Sequence, residues 1–359
     1  MKLQPSALPR LTLLAIACAV LSSASCDRKA TSPTKPGAAA PAAEKLTVAL
    51  LPKKKGLPYF TSCAAGAEEA AKELNIELIY DGPTDGSPEK AASMIERWTL
   101  QGVHAIAISP NDPDVLAPAM KKAREKGVKV ITWDADGAPD TREFMVNQAT
   151  SRDIGYALVD ALAKDIAAAG GASGGGSGDA KSATGDVAIV TATLTAANQN
   201  EWMKFMRERL ADYPGLKLVE VKPSNEDQRT ALQVTKDLIN AYPDLKGVWG
   251  ISSVSFPAAA EAVKQSGKAG QIMVTGLSTP NDMKKYVHEG TVKSVILWNT
   301  GDLGYLTIYA AHALAKGELK AGVMSMRAGR LGEKKVEGDK IMLGDILVFT
   351  KDNIDQFDF

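Results

Sequence analysis

Cysteine is scarce in this chain: Cys18, Cys26 and Cys63 are the only ones in 359 residues. Two of them fall in the first 26 residues, so past that point no disulfide framework can form within the chain. Histidine is equally rare, with His104, His288 and His312 far apart and no CxxC pair anywhere, which excludes a zinc site of ordinary ligand spacing. Charge of one sign is lacking too: 42 basic residues balance 42 acidic ones, so the electrostatic footprint of a nucleic-acid-binding protein is missing. The longest apolar run of the N-terminus, Leu11 to Leu21, is about half of what a membrane-spanning helix needs. No nucleophile elbow set between a strand and a helix appears, and no Walker A loop. What remains is an ordinary globular composition, 45% apolar and 23% charged, long enough for roughly two domains.

The N-terminus reads as an export signal. Lys2 and Arg10 give a sparse positive start, Leu11–Leu21 the apolar core, and Ser22 to Ser25 the small residues before Cys26. Leu21-Ser22-Ser23-Ala24-Ser25-Cys26 resembles a bacterial lipobox, although Ser23 stands where an aliphatic residue is usual. A signal peptide over 1–26 with Cys26 as lipidation site is therefore expected, tying the chain to a membrane if Cys26 is acylated. Residues 27–45, rich in Ala, Pro, Thr and Lys without a hydrophobic period, are expected to be a flexible tether. Cys63, among Ala and Gly on a predicted helix, is expected to be a buried structural residue.

From Leu46 strand and helix patterns alternate. Leu46–Leu51, Ile76–Tyr80, Val103–Ser109 and Val128–Thr132 are apolar runs, separated by helical periodicities over 59–74, 88–100 and 113–126. A second set follows, with strands expected near 186–191, 216–221, 247–251 and 272–275 and helices between them. Continuous apolar strands alternating with helices predict an α/β fold of parallel sheets with helices on both faces. Right-handed crossovers then place the strand-to-helix loops along one rim of each sheet. The segment 170–185, with seven glycines among Ser, Ala and Lys, follows a helix and precedes a strand. It is expected to be a surface insertion, since a phosphate loop has the opposite order.

In open α/β sheets ligands bind beyond the carboxyl ends of the strands. There this chain carries Lys53, Asp112, Trp133-Asp134-Ala135-Asp136, Asn198-Gln199, Ser253 and Trp298-Asn299. An indole can lie on the C–H face of a sugar ring, and carboxylates and amides can hold its hydroxyls. Tyr59, Phe60 and Trp202 are further aromatic candidates. Each also has a plainer reading: Lys53 a solvated loop lysine, Asp112 and Asn198 helix caps, the aromatics core. The two aspartates after Trp133 could belong to a glycosidase, but the facing acid and base that glycoside hydrolysis needs are not evident in the spacing.

The segments Leu51-Pro52-Lys53, Tyr80-Asp81-Gly82-Pro83-Thr84, Ile108-Ser109-Pro110-Asn111-Asp112, Thr132-Trp133-Asp134-Ala135-Asp136 and Val146-Asn147-Gln148-Ala149-Thr150 continue, in order, with Ala197-Asn198-Gln199-Asn200-Glu201-Trp202, Gly276-Leu277-Ser278-Thr279-Pro280, Leu297-Trp298-Asn299 and the C-terminal Asn353-Ile354-Asp355-Gln356-Phe357-Asp358-Phe359. Together they resemble the periplasmic type I sugar-binding proteins of ABC importers, in the rhamnose-binding and autoinducer-2-binding branch. The resemblance implies two doubly wound parallel-sheet lobes joined by a three-segment hinge, an N-lobe of 46–148 and 280–316 and a C-lobe of 149–279 and 317–359. It implies a monomer that closes on a small neutral sugar and meets a membrane permease, with no cofactor, metal or catalytic residue. The implied ligand contacts are Lys53, Tyr59, Phe60, Asp112, Trp133, Asp134, Asp136, Asn198, Gln199, Ser253, Trp298 and Asn299. In autoinducer-2 receptors of the family a lysine, two aspartates and a glutamine touch the ligand. Lys53, Asp134 and Gln199 match, but Asn198 replaces the second aspartate and Ile251-Ser252-Ser253 replaces Pro-Asp-Ala, a form more like the rhamnose-binding members. The readings left open are a rhamnose-type or pentose receptor, a receptor for autoinducer-2 or a chemosensory signal, and an exported sugar-acting enzyme.

Overall fold

The computed structural model describes residues 45–171 and 179–359. The expected signal peptide, Cys26, all of the tether but its last residue, and residues 172–178 of the Gly-rich segment lie outside the described residues.

Strands β1 (Thr47–Leu51), β2 (Glu77–Tyr80), β3 (Ala105–Ile108), β4 (Lys129–Trp133) and β5 (Phe144–Asn147) alternate with helices α1 (Pro58–Glu73), α2 (Pro88–Gln101) and α3 (Pro113–Glu125). Side-chain alternation along a strand gives the first sheet two cores. Val48 and Leu50 join Ala105, Ala107, Ile131 and Trp133 in one, while Ala49 and Leu51 join Ile106, Ile108 and Val130 in the other. Burial on both faces is why these strands read as unbroken apolar runs. Helix starts follow local chemistry: Asp112 accepts from the backbone N–H groups of Asp114 and Val115, and Pro113 opens α3.

The chain then leaves the first sheet through 148–150 into α4 (Ser151–Gly171). A second parallel sheet follows: β6 (Gly185–Thr191), α5 (Ala197–Leu210), β7 (Leu216–Pro223), α6 (Gln228–Ala241), β8 (Leu245–Gly250), α7 (Ser255–Gln265) and β9 (Met273–Gly276), in the order β7-β6-β8-β9. Helix α8 (Pro280–His288) packs on α7, and β10 (Val295–Leu297) bridges to the end of β9 through Leu277 and Ile296. A second passage at 298–299 leads to α9 (Thr300–Ala315), which lies on the first sheet against α1. Then β11 (Ser325–Arg327), β12 (Glu333–Glu337) and β13 (Lys340–Met342) extend the first sheet, with β13 parallel to β5. A third passage at 343–346 reaches β14 (Leu347–Phe349), antiparallel to β10.

The strand pairing therefore divides the chain differently from the lobe boundaries expected from sequence. Residues 280–297 go with the second sheet, and 325–342 go with the first because their backbone completes the β5 edge. The apolar stretch 341–349 is thus split between two strands, β13 and β14, that serve two different sheets.

Helices α1 and α9 touch backbone to backbone. A Cβ on Gly66 would stand 1.8 Å from the Gly301 carbonyl oxygen, and one on Gly304 1.8 Å from that of Cys63. The glycines thus set the closeness of the pair, and with it the placing of Tyr59 and Phe60 beside Trp298. Cys63 is buried in this seam, a structural position.

Candidate functional site

The carboxyl ends of strands from both sheets face one cleft. From the first sheet come Lys53, two residues past β1, and Asp134, directly past β4; Tyr59 and Phe60 come from the first turn of α1. From the second come Asn198, Gln199 and Trp202 on α5, Glu226 past β7, Ile251, Ser252 and Ser253 past β8, and Leu277 past β9. Leu297 and Trp298 close it at the passage out of β10. About 400 Å³ inside it is free of protein atoms, part of it open to solvent.

Asp134 is the hub. Its φ of 63° and a 2.6 Å bond from the Ala135 N–H to the Trp133 carbonyl make a three-residue turn. Only a few per cent of non-glycine residues adopt positive φ, Asp and Asn more readily than most. The turn swings the carboxylate off the strand line into the cleft. One oxygen accepts from the Tyr59 hydroxyl at 2.8 Å; the other accepts from the Ser109 hydroxyl at 2.9 Å and lies 3.1 Å from the Lys53 ammonium. The Asp134 carbonyl accepts from Gln148 Nε2 at 3.0 Å and Asn198 Nδ2 at 3.4 Å. Burial, and then the adjacent Asp134 charge, push the Tyr59 hydroxyl well above its ordinary range and do the same to the Cys63 thiol. Tyr59 therefore stays a neutral donor, and in turn accepts from Trp298 Nε1 at 3.0 Å.

Lys53 connects the two sheets. Its ammonium also donates to Asn198 Oδ1 at 3.2 Å. Gln199 is fixed by its acceptor end: the Ala192 N–H reaches Oε1 at 2.8 Å, and the Thr191 hydroxyl donates to the same atom. That leaves the amide NH2 end for a ligand. Opposite this polar set stand aromatic faces: Trp298 meets Tyr59 and Trp202 edge-on, with ring centres 6.2 and 6.1 Å apart.

Eight of the twelve residues expected to bind line the cleft: Lys53, Tyr59, Phe60, Asp134, Asn198, Gln199, Ser253 and Trp298. Four do not. Asp136 is held by Arg142 at 2.8 and 2.6 Å and by the Thr132 hydroxyl at 2.6 Å, a structural pair between a half-buried carboxylate and a buried guanidinium. Asp112 spends its carboxylate on the start of α3, and Asn299 accepts from the Asp302 N–H as the cap of α9. Trp133 is fully buried beneath Phe60, its ring edge-on at 5.7 Å.

Sequence reasoning gave too little weight to Trp202, Ser252, Glu226, Ile251, Leu277 and Leu297. Trp202 was findable, since it stands four residues after Asn198 and three after Gln199, the spacings that share a helix face, once α5 is known to begin at Ala197. Glu226 lies in the turn Ser224-Asn225-Glu226-Asp227, whose composition signals only a loop.

With this geometry in hand, comparison with known proteins identifies the family. The family described as "Periplasmic binding protein domain" matches residues 48–319, three quarters of the chain, and the protein belongs to it. The ribose import binding protein RbsB of Salmonella typhimurium is 26% identical over 278 residues, covering 76% of this chain and 86% of its own. LsrB from Clostridium saccharobutylicum, solved in complex with AI-2, superposes with a TM-score of 0.82 at 26% identity, over 88% of this chain and 100% of that one. An ABC transporter solute binding protein from Clostridium phytofermentas, solved with bound L-rhamnose, gives 0.79 at 28% identity, over 88% and 98%.

Proposed function

We propose that this member of the periplasmic binding protein family captures a small neutral sugar, rhamnose or a related deoxyhexose or pentose, and delivers it to the membrane permease of an ABC importer. The observation that carries the reading is the two-sided cleft. One side offers the carboxylate of Asp134, the ammonium of Lys53 and the amides of Asn198 and Gln199; the other offers the faces of Trp298, Trp202 and Phe60. A sugar ring has the same two-sidedness, hydroxyls around its edge and C–H groups on its faces. The relatives solved or named with L-rhamnose and ribose favour the same class.

Binding by lobe closure would use the three passages between sheets as a hinge. Export through the N-terminal signal, with acylation of Cys26, would hold the protein in the cell envelope near its permease. Among the described residues no helix is long and apolar enough to cross a membrane. Mass spectrometry of protein from its own cells tests the anchor, which predicts a diacylglyceryl Cys26 at the mature N-terminus. Calorimetry of the mature protein against a panel of aldoses and deoxysugars tests the main reading. Saturable binding is expected, with the ligand recovered unchanged; no heat with any of them sinks the sugar, and a converted ligand sinks binding without catalysis.

A second reading is an autoinducer-2 receptor, favoured by the overlay with the AI-2 complex and by Lys53, Asp134 and Gln199. Asn198 stands where those receptors carry an aspartate. If sugar transport is the role, the native protein ignores autoinducer-2 and Asn198→Asp gains affinity for it.

A further inference from the structure

Two chambers meet at Glu226. The first is the cleft just described. The second, with about 460 Å³ free of protein atoms, is lined by Lys54, Asp85, Asn111, Thr193 and Asn225 and shares Lys53, Phe60 and Glu226 with the first. Glu226 sits on a turn in which it and Asn225 both have positive φ, 51° and 54°. Its backbone carbonyl accepts from Lys54 Nζ at 2.8 Å, which pins the turn across the cleft to the loop after β1. Its carboxylate oxygen Oε2 is buried and has no hydrogen-bond partner among the described residues. A buried carboxylate oxygen without a donor is costly, so water or a ligand group entering the cleft is its partner in solution. Burial pushes the carboxyl up, with Asp134 adding to this, while the ammonium groups of Lys53 and Lys54 and the Ser252 hydroxyl oppose it.

Resting on the sugar-receptor reading, we infer that Glu226 is a specificity-determining residue that accepts a hydroxyl of the ligand and bars sugars carrying a carboxylate there. The charges nearby support both halves. Lys53 and Lys54 balance Asp134 and Glu226, so a neutral ring leaves the cleft neutral. A ligand carboxylate would bring a second anion against the Glu226 oxygen, while Lys53 is already held by Asp134 and Asn198 and Lys54 donates to the Glu226 carbonyl, so its charge is the counterweight to Glu226 itself. Glutamine keeps the size and one acceptor but adds an N–H donor, so it satisfies a hydroxyl and admits a carboxylate.

The experiment compares wild type, Glu226→Gln and Glu226→Ala by calorimetry. The probes are L-rhamnose, D-ribose and two matched pairs of equal ring configuration: D-xylose with D-glucuronate, and L-arabinose with D-galacturonate. In Glu226→Gln, neutral-sugar affinity should fall by no more than about fivefold while the preference for neutral over acidic partner shrinks by about tenfold or more. In Glu226→Ala, neutral-sugar affinity should fall by about tenfold, from the lost acceptor. Equal losses for neutral and acidic sugars in Glu226→Gln, or an unchanged preference, would overturn the inference, because a turn that only shapes the loop cannot change the ratio. Wild type binding none of the neutral sugars would overturn the sugar reading itself, and this inference with it.

Discussion

Replacing Lys53 by methionine removes the cation that, among the described residues, touches both Asp134 and Asn198, at 3.1 and 3.2 Å. The ion pair is nearly dry: the Lys53 side chain is 12% exposed and that of Asp134 6%. Removing one partner of a buried pair costs about 3–5 kcal/mol, chiefly because the other charge stays buried without compensation. Here Asp134 keeps the Tyr59 and Ser109 hydroxyls, so the cost falls to the bottom of that range or just below it, about 2–3 kcal/mol. Urea unfolding at neutral pH reads this directly. Asp134→Asn alone should also destabilise. The double variant Lys53→Met/Asp134→Asn should be more stable than the sum of the two losses by about 1–3 kcal/mol, the signature of a direct pair. Calorimetry on the same proteins separates the roles: loss of a charged donor to the ligand should weaken binding by on the order of 10- to 100-fold. A Lys53→Met protein within about 0.5 kcal/mol of wild type, or strictly additive losses, would refute the pair as the organiser of the cleft. The full predicted loss of stability with intact affinity would show that Lys53 serves Asp134 and not the ligand.

Other variants probe the assignments around it. Asp136→Asn takes from Arg142, whose side chain is 1% exposed, the carboxylate that holds it at two atoms and leaves it the 2.5 Å pair with Asp339, so it should cost about 1–3 kcal/mol in urea while leaving ligand affinity within about threefold; a large loss of affinity would return Asp136 to the site. Trp298→Phe should weaken ligand binding by about tenfold through the lost wall and the lost donor to Tyr59, whereas Trp133→Phe should lower stability without changing the ligand-induced change in tryptophan fluorescence. Asp165 gives a pH test. Burial, opposed by the Ser294 hydroxyl, lifts its carboxyl from 3.8 to about 6. A raised carboxyl favours the folded state only while protonated, so that stability is complete below the unfolded value of 3.8 and is lost as pH climbs through about 6. Asp165→Asn should therefore raise urea resistance by about 1–2 kcal/mol at pH 8 and by almost nothing at pH 4, and an equal gain at both would refute the burial argument.

What could be read before the structure follows from where information is local. The doubly wound plan was legible because parallel strands buried on both faces are unbroken apolar runs, as in Ala105–Ile108, and because caps such as Ser87 and Asp112 precede a proline. The strands β11 and β12 were not, since Glu333–Glu337 buries one valine between charged neighbours and owes its strand state to pairing with distant residues. At the cleft, strand-end position brought out Lys53 and Asp134, which line it. The same rule also selected Asp112, Asn299 and Asp136, because a polar side chain that caps a helix or pairs with an arginine and one that faces a cleft are identical in sequence. Only the partner settles which it is, and Arg142 lies six residues from Asp136 with nothing local to announce the bond.

Trp133 and Asp134 show how one strand end serves both purposes. Alternation sends Trp133 into the core beneath Phe60, where its bulk anchors the end of β4. The positive φ of the next residue then breaks the alternation, so Asp134 does not turn to the opposite sheet face as an extended residue would. It enters the cleft instead, where two hydroxyls and an ammonium hold its carboxylate in one orientation. Local backbone strain of this kind costs on the order of 1–3 kcal/mol and persists only where surrounding contacts over-determine it. Here the contacts that do so are the ones that connect the two sheets, through Lys53 to Asn198 and through the Asp134 carbonyl to Asn198. The strained turn and the cross-cleft bonds therefore stabilise each other. A ligand hydroxyl that joins this network meets donors and acceptors already oriented, so little of its binding energy goes into ordering the site.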